Sequence, residues 1–360
     1  MIIGIDASAF LASAPSGVEI TTRDLIMAIL KLDTINTYWL YSRALIRADL
    51  PWSEHVKNIV VPGKRFWTQT HLSRALKNQP PDIFWSPSHT LPNNLPKKSV
   101  ATVHDLAWYL LPQSYAWKSR FLSAVAVRKA IKRTSKLIAV SQQTKKDLKK
   151  YLHVLGEQIE VVYHALRTDF YPTEFDFSTI YPELDQYLLC VGRVELKKNI
   201  PNLLKAFAEF RISHPAIKLV LVGGAGNGYA SILKLIKKLR LSGTVKLLNY
   251  VPDGHLPVLY QKSLGIVFPS LYEGFGMPIL EGFASQIPVL TADMGATREI
   301  AGNAALLVNP NNISAIEFGL NQLVDDSALR SQLITKGQVR LKDFNWETSA
   351  QKVINLWKTL

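Results

Sequence analysis

Residues 271–290 read LYEGFGMPILEGFASQIPVL, and their reading decides the fold of the chain around them. Just ahead, SLGIVFPS is a short apolar run bounded by serines, the pattern of a buried strand. Gly274 and Gly276 mark a turn, and Pro278 fits the first position of a helix, where no N–H is needed. The helix continues through ILEGFAS, and IPVLTAD reads as the next strand. Strand, glycine turn, helix and strand make one βαβ unit of a parallel sheet. Two carboxylates, Glu273 and Glu281, lie inside it among apolar residues, where acids seldom sit unless something binds them.

Backbone donors near Gly276 to Ile279 are expected to point out of the helix start and to hold an anion of diphosphate size. Glu273 falls in the turn and Glu281 in the first helical turn. Two acids flanking that anion would repel it, so each is expected to accept hydrogen bonds from neutral hydroxyls, as on a sugar ring and a ribose. The plain alternative for Glu281 is a carboxylate capping the helix dipole. A second cluster, CVGRVELKKNI at 190–200, ends a strand and brings Arg193, Lys197 and Lys198 to the same sheet edge. Alone such a loop is merely solvated; beside a helix start it supplies fixed positive charge for a leaving diphosphate. No Asp-x-Asp pair stands at a strand end as a Mg²⁺ ligand set, so no metal and no cofactor are expected.

The same βα alternation runs through the chain. IIGIDAS, TYWLYSR, NIVVPG, IFWSPS, SVATVHD, KLIAVS and IEVVYHA read as strands of a first series, with helices over 18–31, 67–77, 117–133 and 142–152. YLLCVGR, IKLVLVGG, VKLLNYV, SLGIVFPS, IPVLTAD and AALLVNP form a second, with helices over 201–213 and 228–240, then 313–338 and 346–359. Residues 171–186, rich in Pro, acids and aromatics, separate the two. The expected organisation is a first domain over 1–170, a linker over 171–186, a second domain over 187–345, and a terminal helix, 346–360, returning to the first domain. Ligands of such sheets bind beyond the carboxyl ends of the strands, so the cleft is expected between two facing Rossmann-like domains. The glycine-rich GGAGNG after IKLVLV lacks the following acid of a dinucleotide site and reads as an ordinary strand–helix turn.

Composition sets outer limits. A 360-residue chain with 48% apolar and 19% charged residues is globular and large enough for two domains. One cysteine, Cys190, excludes an intrachain disulfide and fits a reducing cytoplasm. No apolar run approaches a membrane span, and MIIGIDASAF reads as a first strand rather than a signal peptide. The net charge of +14 is concentrated: residues 1–170 hold 23 Lys and Arg against 12 Asp and Glu. LLPQSYAWKSRFLSAVAVRKAIKR and KRFWTQTHLSRALK mix aromatics with basic residues at helical spacing. They are solvated helix faces or a surface for an anionic membrane. A nucleic-acid partner is not expected, because no RNA or DNA motif accompanies the charge.

With these motifs quoted, the whole chain resembles the GT-B-fold retaining glycosyltransferases of family 4, in their mannosyltransferase-like subgroup. PSLYEGFGMPILEGFA is close to that family's Glu-x7-Glu signature, and GRVELKKN to its Arg…Lys phosphate motif, with Lys-Asn where many members have Lys-Gly. The resemblance implies that Arg193 and Lys198 bind the donor diphosphate, Glu273 the transferred sugar and Glu281 the ribose. It places backbone contacts at Phe275, Gly276 and Met277, the base near Asn249 to Val251, and Gly17 of SGVEITTRDL against the phosphates. His104 of TVHDLAW, whose residues alone read as a metal ligand or a general base, with a buried histidine bonded to backbone as the plain alternative, is implied beside the reacting sugar. His164-Ala165 departs from the family's Asn-Gly. The implied reaction is hexose transfer with retention, attack and departure occurring on one face. The implied donor is GDP-mannose, with UDP-glucose-type or UDP-N-acetylhexosamine donors next. The acceptor would be a glycan, lipid-linked or in a polysaccharide, in bacterial O-antigen synthesis at the cytoplasmic face of the inner membrane. A nucleotide-sugar 2-epimerase of the same architecture is the alternative.

Overall fold

The computed structural model describes residues 1–360 apart from 14 and 253. Two compact units emerge. Unit 1 comprises Met1–Leu110, Trp117–Arg167 and Phe344–Leu360; unit 2 comprises Leu111–Ala116 and Thr168–Asp343.

Unit 1 runs β1 (Ile2–Asp6), α1 (Gly17–Leu32), β2 (Thr37–Ser42), β3 (Val56–Val60), α2 (Ser73–Asn78) and β4 (Ile83–Ser86). It continues through β5 (Ser99–Val103), α3 (Ala107–Leu110), α4 (Trp117–Arg133), β6 (Lys136–Ala139), α5 (Gln142–Leu152) and β7 (Ile159–Val161). The seven strands are parallel, in the order β3-β2-β1-β4-β5-β6-β7. One face packs on α1: Ile26, Ile29 and Leu30 meet Ile3, Ile5, Trp85 and Val100 in one core. On the opposite face Trp67, Leu72 and Leu76 pack with Tyr41 and Phe84, while Ala130 and Leu148 pack with Ala101, Val103 and Leu137. The Ser141 hydroxyl accepts from the Thr144 amide at 3.0 Å and so caps α5, as its sequence suggests.

Unit 2 begins with α6 (Phe177–Ile180), β8 (Tyr187–Val191), α7 (Ile200–Ser213), β9 (Lys218–Val222), α8 (Tyr229–Lys238), β10 (Val245–Asn249) and α9 (His255–Lys262). There follow β11 (Gly265–Phe268), α10 (Met277–Ala284), β12 (Val289–Ala292), α11 (Gly295–Ala301), β13 (Leu306–Val308), α12 (Ile313–Asp325) and α13 (Ser327–Leu341). Its six parallel strands take the order β10-β9-β8-β11-β12-β13. Both sheets thus follow the Rossmann order, whose direction reverses beside the first strand: between β1 and β4 in unit 1, and between β8 and β11 in unit 2.

Three departures from the sequence expectation have a plain physical reason. Residues 171–186 are not a free linker, because Phe175 stacks on His255 at 4.0 Å and Tyr181 hydrogen-bonds the same ring at 3.0 Å, within unit 2. The single helix expected over 313–338 is two: Asp326 is extended at φ −92°, ψ 91°, and its carboxylate caps the second helix through the Leu329 amide at 2.8 Å. Helix α9 was hidden by Pro257, which stands in its first turn, where proline is tolerated. The last helix, α14 (Trp346–Lys358), belongs to unit 1, where Ala350, Val353, Ile354 and Trp357 join the α1 core.

Candidate active site

In unit 2 the loops after β8, β9 and β11 lie side by side because their strands are neighbours. Main-chain bonds join them: Val194 N–H donates to Gly224, Leu196 N–H to Asn227, and Leu271 N–H to Lys197. Glycine is obligatory at two of these contacts. Gly223 has φ +141°, and a Cβ there would sit 2.2 Å from the Gly192 carbonyl oxygen. Gly192 has φ +128°, and its Cβ would press on the Lys198 side chain at 3.2 Å.

Across the switch point between β8 and β11, Lys198 Nζ donates to Glu273 Oε1 at 2.7 Å. Lys197 Nζ stands 3.9 Å from the other carboxylate oxygen. Burial raises the Glu273 pKa, but Lys198 and then Lys197 outweigh it and hold the carboxyl below its ordinary value. The Lys198 ammonium also lies 4.9 Å from the centre of the Phe268 ring, whose face attracts it. Glu273, read from sequence as an acceptor for sugar hydroxyls, here accepts from Lys198 and has Lys197 beside its other oxygen.

The Lys-Asn departure has a conformational reason. Asn199 adopts φ +61°, a left-handed backbone that glycine or asparagine accepts more readily than other residues. Its side-chain amide is spent on the Pro310 carbonyl at 2.7 Å, which anchors the start of α7.

Helix α10 starts at Met277, after Gly276 at φ +116°, with Pro278 in its first turn. Two expectations shift here. The Ile279 amide donates to the Gly276 carbonyl at 3.0 Å, so it is not among the outward donors. Glu281 is the fifth helical residue, one turn inside the helix, and its carboxylate accepts a 2.5 Å bond from the Tyr260 hydroxyl of α9. No local signal marks Tyr260, since helix packing brings it to Glu281 from 21 residues away. Phe275 is 5% exposed and Val251 is 7% exposed at the far side of the sheet, after β10, three strands away from β11. Arg193 is solvent-exposed at the end of β8.

Unit 1 holds Gly17 and His104. Gly17 is the first residue of α1, and a Cβ there would meet nothing within 4 Å. Protein packing therefore leaves space beside it. His104 follows β5, and its Nε2 donates to the Pro87 carbonyl at 2.9 Å, the backbone-bonded arrangement that was the plain alternative. Burial depresses its pKa, opposed by the Pro87 carbonyl and Asp105, so the ring is neutral with Nε2 protonated. His164 stacks on it at 5.7 Å between centroids; burial and the neighbouring His104 hold His164 well below the ordinary histidine value. The Asp105 carboxylate accepts from the Ala107 amide at 3.0 Å, which orients the loop into α3. His164, read from sequence only as a departure from pattern, is thus packed directly against the candidate site residue.

Two parallel sheets of Rossmann order are the domains of a GT-B glycosyltransferase, and the comparisons place the chain in that class. The "Glycosyltransferase Family 4" model matches residues 16–170, and the "Glycosyl transferases group 1" model matches residues 173–340. The chain belongs to this glycosyltransferase family. It is 28% identical over 297 residues to O-antigen chain mannosyltransferase B of Escherichia coli, covering 79% of this chain and 76% of that one. It is 30% identical over 225 residues to O-antigen chain mannosyltransferase RfbU of Salmonella typhimurium, covering 62% and 60%. The solved sucrose-phosphate synthase of Thermosynechococcus elongatus shares the fold at TM-score 0.77 and 21% identity, covering 99% and 98%. Among the described residues no helix is long and apolar enough to cross a membrane.

Proposed function

We propose that this glycosyltransferase moves mannose from GDP-mannose to a hydroxyl of a glycan acceptor, lipid-linked, in O-antigen or related cell-surface polysaccharide synthesis. It works at the cytoplasmic face of the inner membrane, with retention at the anomeric carbon and without metal. The carrying observation is the Lys197–Lys198–Glu273 cluster at the switch point of unit 2, at the loop that leads into α10. Similarity to two O-antigen mannosyltransferases supports the sugar and the pathway class.

In this reading Arg193, Lys198 and the backbone of Phe275, Gly276 and Met277 take the donor diphosphate. Charge that develops on the leaving phosphate meets fixed cations, which removes the need for a metal. Glu281, oriented by Tyr260, receives the ribose, and Val251 lies by the base. Glu273 is no nucleophile: a carboxylate with both oxygens engaged by ammonium groups is a poor attacking group. It aligns Lys198 and accepts from sugar hydroxyls. Gly17 leaves room for the phosphates, and His104, neutral and held by Pro87, contacts the transferred sugar.

A thermal-shift screen against GDP, UDP, ADP and their sugars tests the donor. A ligand at a hundred times its Kd stabilises the protein by about 2.7 kcal/mol, so GDP and GDP-mannose should raise the melting temperature most. A larger shift with UDP-glucose or UDP-N-acetylglucosamine would replace the donor. Loss of turnover in EDTA, restored by Mg²⁺, would overturn the metal-free reading. Epimer formation from donor alone would overturn transfer.

A further inference from the structure

Three segments meet on the outer side of unit 1 opposite the α1 face. Leu95 packs against both the Trp67–Leu76 core and the Ala130–Leu137 core, so α2 and α4 cover adjoining strips of one sheet face. Asn93 joins them: its amide donates to the Gln69 carbonyl at 3.0 Å, and its side-chain oxygen accepts from Lys129 Nζ at 2.8 Å. The Asn94 amide donates to the Ser73 hydroxyl at 2.9 Å, and Arg133 donates to the Asn93 carbonyl at 2.6 Å. Residues 64–80, 91–98 and 117–133 therefore form one continuous surface. Together they contain twelve Lys and Arg and no Asp or Glu.

This basic surface also exposes large apolar side chains. Trp117, Phe121 and Val125 fall at i, i+4 and i+8 on α4 with Leu122 beside them, and they are 71%, 63%, 48% and 66% exposed respectively. Phe66, 75% exposed between Arg65 and the buried Trp67, is held at φ +53°, a conformation bulky residues rarely adopt. An apolar stripe whose charged neighbours on the helix are all cations suits a helix lying in the plane of an anionic membrane surface. A nucleic acid would favour stacking aromatics along a groove, and Leu122 and Val125 cannot stack on bases.

We propose that this face of unit 1 lies on a bilayer surface of anionic phospholipid. Helix α4 lies parallel to the membrane with Trp117, Phe121 and Leu122 among the acyl chains. Phe66 is a second anchor, and the lysines and arginines of the three segments sit at the lipid phosphates. The proposal deepens the reading that the acceptor is lipid-linked and rests on it, because it places one surface of the enzyme on the membrane that carries the acceptor.

The test is cosedimentation of the full chain with phosphatidylcholine vesicles, with and without phosphatidylglycerol. Wild type should partition onto the anionic vesicles. Arg65→Ala and Arg128→Ala, both exposed, should each weaken partition about fivefold. Phe121→Ser with Leu122→Ser should weaken it at least about tenfold. Lys237→Ala with Lys238→Ala, exposed in unit 2, should change nothing. Equal binding to neutral and anionic vesicles, wild-type partition in the α4 variants, or equal loss in the unit 2 control would overturn the proposal. So would oligonucleotide binding that depends on Arg65 and Arg128 while vesicles are ignored. If the double serine variant misfolds, the two arginine variants still decide. Thermal shifts with GDP, UDP, ADP and their sugars are read in parallel: vesicle binding lost with a nucleotide shift intact refutes this surface alone, and vesicle binding with no shift from any of them refutes the transferase reading.

Discussion

Lys198→Ala is the perturbation that bears most directly on the site. It removes the 2.7 Å partner of a carboxylate only 9% exposed and leaves Lys197 at 3.9 Å as its remaining ammonium. Removing one member of a buried pair costs about 3–5 kcal/mol, and retention of Lys197 places the expectation at the lower end, about 3 kcal/mol. For a unit of this size that is a fall of about 6–12 °C in melting temperature. Glu273→Leu alone should cost a similar amount by stranding Lys198, and the double variant less than the sum, by about 2 kcal/mol. The pH dependence follows from the lowered Glu273 pKa. In wild type the pair contributes stability above the unfolded value near 4.5, lost as pH falls through the lower folded value. In Lys198→Ala the folded pKa rises, so that acid-side loss shrinks. Calorimetry of the four proteins across acidic pH measures all of this, and initial rates with donor and acceptor should fall at least about a hundredfold in Lys198→Ala. Additive losses of stability, or near-normal turnover, would refute the coupling on which the site rests.

Other outcomes follow from single features. Asn199→Gly keeps the left-handed backbone and loses only the bond to Pro310, costing about 1 kcal/mol, whereas Asn199→Ala adds about 1–2 kcal/mol of strain; urea unfolding should rank them so. His164, with its folded pKa held well below the unfolded 6.5, makes stability fall as pH drops below about 6.5. The slope approaches about 1.4 kcal/mol per pH unit, and His164→Phe should flatten it in melts between about pH 5 and 7. Gly17→Leu meets no protein atom at its Cβ and should leave the melting temperature within about 1 °C, equivalent to less than 0.5 kcal/mol. It should raise the donor KM severalfold, and an unchanged KM would remove Gly17 from the site.

Strand and helix periods made the two parallel sheets legible, because buried parallel strands are continuous apolar runs and their crossovers are amphipathic helices. GIVF, KLVLV and YLLCV each became strands where their composition placed them. The break at Asp326 was obscured because the apolar pattern runs on across it, although the residue caps the following helix. Helix α9 was obscured because a proline in its first turn carries two meanings.

Local chemistry likewise marked Glu273 and Glu281 as ions needing partners, since burying charge costs free energy wherever the apolar run folds, whereas Lys197 and Lys198 were marked only as cations at the same sheet edge. Which ion meets which is not local. Glu273 meets Lys198 across 75 residues because β8 and β11 are neighbours in the sheet. Tyr260 reaches Glu281 through the packing of α9 on α10, and His164 reaches His104 from the end of β7. Residue types and their periods determine, by themselves, the elements and which side chains cannot be left unpartnered. Only the strand order, set by crossovers dozens of residues long, decided the pairs, because contacts between distant segments depend on how whole elements stack.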